Sequence, residues 1–290
     1  MSWRTVIIQG RSKLDFRLGY LVVRSKEIKK VFLDEVALLV IENPAVSMTG
    51  SLIEALTEKK IKVIFCDSKR NPVAELIPHH GSHDSSLRIK RQIAWSSENK
   101  ELVWQNIIRD KISKQADFLW EQSKLQQCRM LREYAAQVEP GDATNREGHA
   151  AKVYFNALFG MAFTRGSDSP VNAALNYGYS ILLSAVNREI SACGCLTQLG
   201  VFHDNQFNHF NLGCDLMEPF RILIDRKVVS LCVQEFSTDM KRALWMVLNQ
   251  EVLVNQARQT VLNAIKLYVR NVIDVLNEEK PQGVISYRLK

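Results

Sequence analysis

The spacing of apolar residues changes period near residue 80, so the chain has to fold as two differently built parts. Before that point apolar residues come in short runs rich in β-branched side chains, at 5–8, 20–23, 30–33, 36–41, 62–66 and 73–77. Most are bounded by Gly, Asn, Asp, Ser or Pro, the residues that turn one strand into the next. From 47 to 58 the pattern differs: Leu52, Ile53 and Leu56 fall at helical spacing, which predicts one helix among the strands. Beyond about Leu87 the spacing is helical throughout. Trp104, Ile107, Ile108, Ile112, Ala116, Leu119 and Trp120 form one stripe, leaving Arg109, Lys111 and Lys114 to other faces. Val254, Val261, Ile265, Tyr268, Val272 and Leu276 form another, with Lys266 and Arg270 turned away. Both stripes read as core packing. The residues therefore predict an α+β chain: a small β-rich domain over 1–78, a linker over 79–86 and a larger all-helical domain over 87–290.

The linker region, opened by Pro78 and carrying Gly81, holds His79, His80 and His83, three of the six histidines. Adjacent histidines in a flexible loop rarely converge, and no Cys or Glu accompanies them, so a connecting segment is expected rather than a metal site. Hydrophobic residues make up 46% of the 290, enough for a substantial core, which excludes wholesale disorder. Lys and Arg exceed Asp and Glu by 38 to 31, a balance that suits a polyanionic partner and that many ordinary proteins share. No apolar run approaches the length needed to cross a bilayer, and the first residues turn polar at once. Six cysteines without a CxxC pair point to buried, unreactive thiols of a cytoplasmic protein; Cys193-Gly194-Cys195 is too short and isolated for a zinc site.

Two stretches carry the chemistry: Asn145-Arg146-Glu147-Gly148-His149, and the run from His203 to Arg221 with Asp215 and Glu218. Together they supply one imidazole and three carboxylates. Carboxylates brought together repel unless a cation or a proton resolves the conflict. Hard divalent ions prefer carboxylate oxygens, and one His shifts the preference towards manganese without excluding magnesium. Such an ion steadies the charge on a phosphodiester under attack.

Each acid also has a structural explanation. Thr144-Asn145-Arg146-Glu147 fits a capping box, with Glu147 folding back onto a helix start. On spacing alone that reading is the stronger one. Asp215 and Glu218, followed by Pro219, suit the first turn of a helix equally well, although residues three apart also share a face. A lone histidine is more often structural than a ligand, and His209 has that status. Nothing in the spacing forces the four groups together.

A resemblance separates these readings. Asn145-Arg146-Glu147-Gly148-His149-Ala150-Ala151, with Tyr154-Phe155-Asn156 and Leu158-Phe159-Gly160, resembles the central signature of the CRISPR-associated adaptation endonucleases, the integrases that insert new spacers. Asn172-Ala173-Ala174-Leu175-Asn176-Tyr177-Gly178-Tyr179 resembles the family's next block. His203 with Asn205-Gln206-Phe207-Asn208, and Asp215-Leu216-Met217-Glu218-Pro219-Phe220-Arg221, resemble the third. Trp3-Arg4-Thr5-Val6 and Phe65-Cys66-Asp67 are similar to the form found in type II systems. The likeness runs over nearly the whole chain.

The resemblance implies a β-sandwich-like N-terminal domain and a helical catalytic domain. It makes Glu147, His203 and Glu218 ligands for Mg2+ or Mn2+, with Asp215 a nearby acid supporting the site. The implied reaction is transesterification, in which the 3′-hydroxyl of a short DNA fragment attacks a phosphodiester at the edge of a CRISPR repeat. The implied partners are double-stranded DNA, a second copy in a homodimer, and a small companion adaptation protein in a heterohexamer. The type II effector nuclease and a DNA-end-binding ring protein follow in some systems. Arg146, Lys152 and Arg221 are expected at the DNA because they lie beside the ligands in sequence, ahead of Arg88, Lys90 and Arg91. A nuclease acting on branched repair intermediates and a non-catalytic DNA-binding scaffold are the rival readings.

Overall fold

Val36-Ala37-Leu38-Leu39-Val40-Ile41 has no polar side to present to water, so as a strand it must be covered on both faces. A computed structural model describes residues 4–68, 70–76 and 84–289 of the chain and buries this strand at all six positions. The chain divides into two compact units, Met1–His83 and Asp84–Lys290. Of the segment read as a linker, residues 79–83, with all three histidines, lie outside the described residues, and Ser85 and Ser86 open a helix.

The first unit runs β1 (Arg4–Ile8), β2 (Lys13–Arg17), β3 (Tyr20–Arg24), β4 (Ile28–Phe32), β5 (Val36–Ile41), β6 (Ser47–Met48), α1 (Gly50–Glu58), β7 (Lys62–Cys66) and β8 (Pro72–Leu76). One sheet has the order β1-β5-β7-β8, its first three strands parallel and β8 antiparallel. The other has the order β4-β3-β2-β6. Leu14, Leu21 and Leu33 share one apolar cluster with Leu39, Ile41 and Val63 and with Leu52 and Leu56 of α1. Sheet thus packs on sheet through that helix, the sandwich-like arrangement the family resemblance implied. Thr49 caps α1 by accepting from the Leu52 amide, so the helix starts later than expected and Ser47–Met48 pairs with β2 instead. β2 itself was not expected. Its three charges hide it, yet Asp15 is buried there against the Arg24 guanidinium of β3, 2.6 Å away.

The second unit contains α2 (Ser85–Ile93), α3 (Ser97–Glu121), α4 (Leu125–Ala136), α5 (Arg146–Phe159), α6 (Pro170–Ala192), α7 (Asn211–Met217), α8 (Arg221–Leu231), α9 (Thr238–Trp245), β9 (Glu251–Val254), β10 (Ala257–Thr260), α10 (Val261–Glu278) and β11 (Tyr287–Leu289). Helix α3 is its axis, touching α4, α5, α7, α8 and α10. A helix so surrounded buries more than one stripe. Lys111 and Lys114, expected on outer faces, are therefore buried, whereas Trp120, expected in the core, is 60% exposed.

The unit is helical with one exception. β9, β10 and β11 form a three-stranded antiparallel sheet in the order β10-β9-β11. It absorbs Val254, which the second stripe had assigned to a helix. From β11 the Tyr287 hydroxyl donates to the Pro219 carbonyl at 2.8 Å, and its ring stacks on Phe220 at 4.7 Å. All six cysteines are free. Burial pushes the Cys193 thiol up to about 11 and that of Cys195 to about 12, which leaves both inert at neutral pH. Cys232, however, is exposed, against expectation. Among the described residues, no helix is long and apolar enough to cross a membrane.

Candidate active site

The start of α5 decides the role of Glu147. Asn145, not Thr144, is the N-cap; it sits in the left-handed region (φ 51°) and accepts from the Gly148 amide at 3.2 Å. Asp142 satisfies the next two donors, the amides of Arg146 at 2.8 Å and Glu147 at 3.0 Å. A Cβ on Gly148 would meet Asn145 Oδ1 at 2.7 Å, so this cap requires the glycine. The capping box therefore does not form. With the helix start provided for, the Glu147 carboxylate is free to reach across to α3, where its Oε1 lies 2.5 Å from Lys111 Nζ.

Asp215 is not a helix cap either. It is 0% exposed on α7, and its carboxylate gathers the loop before it. One oxygen accepts from the amides of Val201 (2.6 Å) and Phe202 (3.0 Å). The other accepts from the His203 amide at 3.1 Å and lies 2.5 Å from His203 Nδ1. A carboxylate that already takes three amide donors is fixed as an acceptor, so Nδ1 carries the proton and donates, leaving Nε2 with its lone pair. Trp104 completes the clamp: Phe202 stacks on it at 4.5 Å, and the His203 ring meets it edge-on at 5.8 Å. The bond to Asp215 raises the pKa of His203 above the usual imidazole value; burial opposes this, and the charges of Asp215, Glu218 and Glu147 add to it.

Glu218 occupies a 3-10 turn between α7 and α8, closed by Pro219. It is 3% exposed. Its Oε2 lies 2.6 Å from the same Lys111 ammonium that holds Glu147, and its Oε1 lies 2.8 Å from Arg221 Nε. Desolvation would raise the Glu218 pKa, but Arg221 and Lys111 overcome it and hold the carboxyl below its ordinary value. Burial would likewise discharge Lys111; Glu218 and Glu147 outweigh it and keep the ammonium charged. Arg221 rests on the face of Tyr179 with its guanidinium carbon 4.6 Å from the ring centre. Tyr179 and Tyr154 both donate to Asp225, Tyr154 at 3.1 Å. Burial pushes the Asp225 carboxyl up to about 6 even though both hydroxyls act against the rise.

The structure thus brings Glu147 and Glu218 onto one cation and sets His203, oriented by Asp215, within electrostatic reach of both. Among the described residues, no three His, Cys, Asp or Glu side chains converge as a metal-binding group in this arrangement. The donor chemistry nevertheless fits a divalent ion. Two carboxylates already share a cation position, and an imidazole with its Nδ1 proton fixed is the form that ligates through Nε2.

The basic residues divide. Arg221 lies in the site, and Arg146 lies over the Tyr134 ring at 5.7 Å. Lys152 is exposed, as are Lys90 and Arg91, while Arg88 pairs with Asp84 at 2.9 Å. His209 is exposed, and its carbonyl accepts from the Thr197 hydroxyl. Sequence reasoning missed Lys111. Its neighbours Ile107, Ile108 and Ile112 define the apolar stripe, and nothing local marks it as facing two acids 36 and 107 residues away.

A strand-rich unit is followed by a helical unit that carries an acidic pair and an aspartate-oriented histidine. The profile of the family described as "CRISPR associated protein Cas1" matches residues 6–266, and the chain belongs to that family. It is 35% identical over 271 residues to the CRISPR-associated endonuclease Cas1 of Neisseria meningitidis serogroup C (strain 8013), covering 91% of this chain and 89% of that one. Two solved structures share the fold. A casposase bound to integration product superposes with a TM-score of 0.73 at 18% identity, over 97% of this chain and 92% of its own. A Cas6-RT-Cas1--Cas2 complex gives 0.73 at 16% identity over 97% of this chain, which spans only 36% of that longer polypeptide.

Proposed function

We propose that this protein is a metal-dependent DNA endonuclease and integrase of CRISPR adaptation, in the type II form, and that Glu147, His203 and Glu218 are its metal ligands. The observation that carries the reading is the convergence of Glu147 and Glu218 on one cation beside a histidine whose Nδ1 is held by Asp215. Family membership and the relative named an endonuclease support it. A bound Mg2+ or Mn2+ supplies charge neutralisation at the target phosphate and the departing oxygen.

The chain's own residues do the rest. Asp215 keeps the imidazole in the tautomer that leaves Nε2 available. Arg221, held between Glu218 and the Tyr179 face, presents positive charge to a phosphodiester entering the site. Arg146 and Lys152 add phosphate contacts whose strength falls with salt. The substrates are a short double-stranded fragment and a CRISPR repeat, joined through a 3′-hydroxyl. The partners are a second copy of this chain and a small companion adaptation protein, consistent with a structural neighbour taken from a Cas1--Cas2 complex. The type II effector nuclease and a DNA-end-binding ring protein are further partners, and the place of action is the cytoplasm.

Glu218→Ala is expected to abolish strand joining on a supercoiled repeat-bearing plasmid with manganese while DNA retention persists. Normal joining by that variant refutes the assignment. Running the same assay on branched DNA separates an integrase from a repair nuclease, because only the former joins strands at repeat edges.

A further inference from the structure

A pair of facing carboxylates is unstable by itself, and the fold must hold Glu147 and Glu218 together before any metal arrives. Lys111 is the group in position to do this. Its ammonium lies 2.5 Å from Glu147 and 2.6 Å from Glu218, and the residue is 8% exposed at the middle of the unit's longest helix. A divalent ion shared by those carboxylates and the buried ammonium would claim the same oxygens. Two cations so close in a poorly solvated site repel strongly. A lysine stem has four rotatable carbons and a compact charge, so it can move aside where a guanidinium already packed on a ring, as Arg221 is, cannot.

We propose that Lys111 is a built-in counter-cation: it holds Glu147 and Glu218 converged when no metal is bound and withdraws when the metal binds. The inference rests on the metal-site reading above. Lys111 is thereby a positioning residue acting through the two carboxylates. It also lowers the apparent metal affinity, since the ion must displace it. The arrangement keeps the two carboxylates from parting and makes loading sensitive to the free metal concentration.

The test is manganese binding, measured by isothermal titration and by thermal melting, for the wild-type protein, Lys111→Met and Lys111→Gln. Both variants are expected to melt lower than wild type without metal. Both should bind Mn2+ about tenfold or more tightly, with a larger metal-induced rise in melting temperature. Equal or weaker Mn2+ binding by folded variants overturns the proposal and leaves the metal site intact. Absence of Mn2+ binding to the wild type overturns the metal site and the proposal together. If the variants fail to fold, amine labelling of the wild type followed by mass spectrometry decides. Lys111 should be protected without metal and labelled with it, and unchanged labelling in a protein that binds Mn2+ overturns the proposal.

Discussion

Asp215→Asn is the sharpest perturbation of the His203 loop, because the two side chains have the same shape. One Asp215 oxygen serves the amides of Val201 and Phe202, the other serves His203 twice. An asparagine can keep only one of these sets. Turned with its carbonyl towards Val201 and Phe202, it presents its NH2 to the His203 amide, which loses its acceptor inside the fold. That loss costs about 1–3 kcal/mol. The surviving bonds also lose their charge, so the total is about 2–4 kcal/mol, and the melting temperature should fall by roughly 4–16 °C. The same NH2 forces Nδ1 to become an acceptor and moves the imidazole proton to Nε2, the wrong tautomer for a ligand. The His203 pKa should fall, since its largest source of elevation is gone. Metal affinity should weaken by roughly 10–100-fold. Melting curves with and without Mn2+, and a histidine titration followed by NMR, read all three quantities. A variant that melts with wild type, titrates His203 unmoved and binds metal normally refutes the reasoning.

Three more outcomes follow from the same geometry. Gly200→Ala places a Cβ 2.2 Å from the His203 carbonyl and 2.8 Å from Asp215, so it should destabilise by about 1–3 kcal/mol and weaken Mn2+ binding; an unchanged melt and affinity rule this out. Asp225 has a folded pKa near 6 against an ordinary 3.8, so between those values the unfolded chain releases a proton the fold retains, and this group opposes folding increasingly until about pH 6. The gap corresponds to at most roughly 3 kcal/mol, so Asp225→Asn should gain melting temperature relative to wild type from pH 5 to pH 8, and a pH-independent difference contradicts it. His203 has the opposite sign: its raised pKa adds stability that is fully present below the unfolded value and is lost as pH rises through the folded one. Metal loading should therefore fall away on acidification at a higher pH than an ordinary histidine dictates, which Mn2+ titrations at several pH values will show.

The sequence made the strands legible where β-branched runs had turn residues at both ends, as in β5 and β7. It hid β2, whose alternation is masked by charges, Asp15 among them pairing across the hairpin with Arg24, and β9 to β11, whose closing strand lies more than 30 residues from its partner. The acids of the site were visible as residue types but not as roles. Thr144 to Glu147 matched a capping box, and only the left-handed turn at Asp142 (φ 52°) and Asn145 (φ 51°) shows that other residues cap the helix. Lys111 was invisible for a deeper reason. Its partners lie far away in sequence, and a lysine beside an apolar stripe ordinarily faces water.

Tyr287 links the small sheet of the second unit to the turn that carries Glu218. Its hydroxyl and ring fasten Pro219 and Phe220, the residues immediately after Glu218, and it is itself held in β11 beside β9. The turn bearing Glu218 is therefore tied to a strand 68 residues further along the chain, and its position depends on the small sheet being formed.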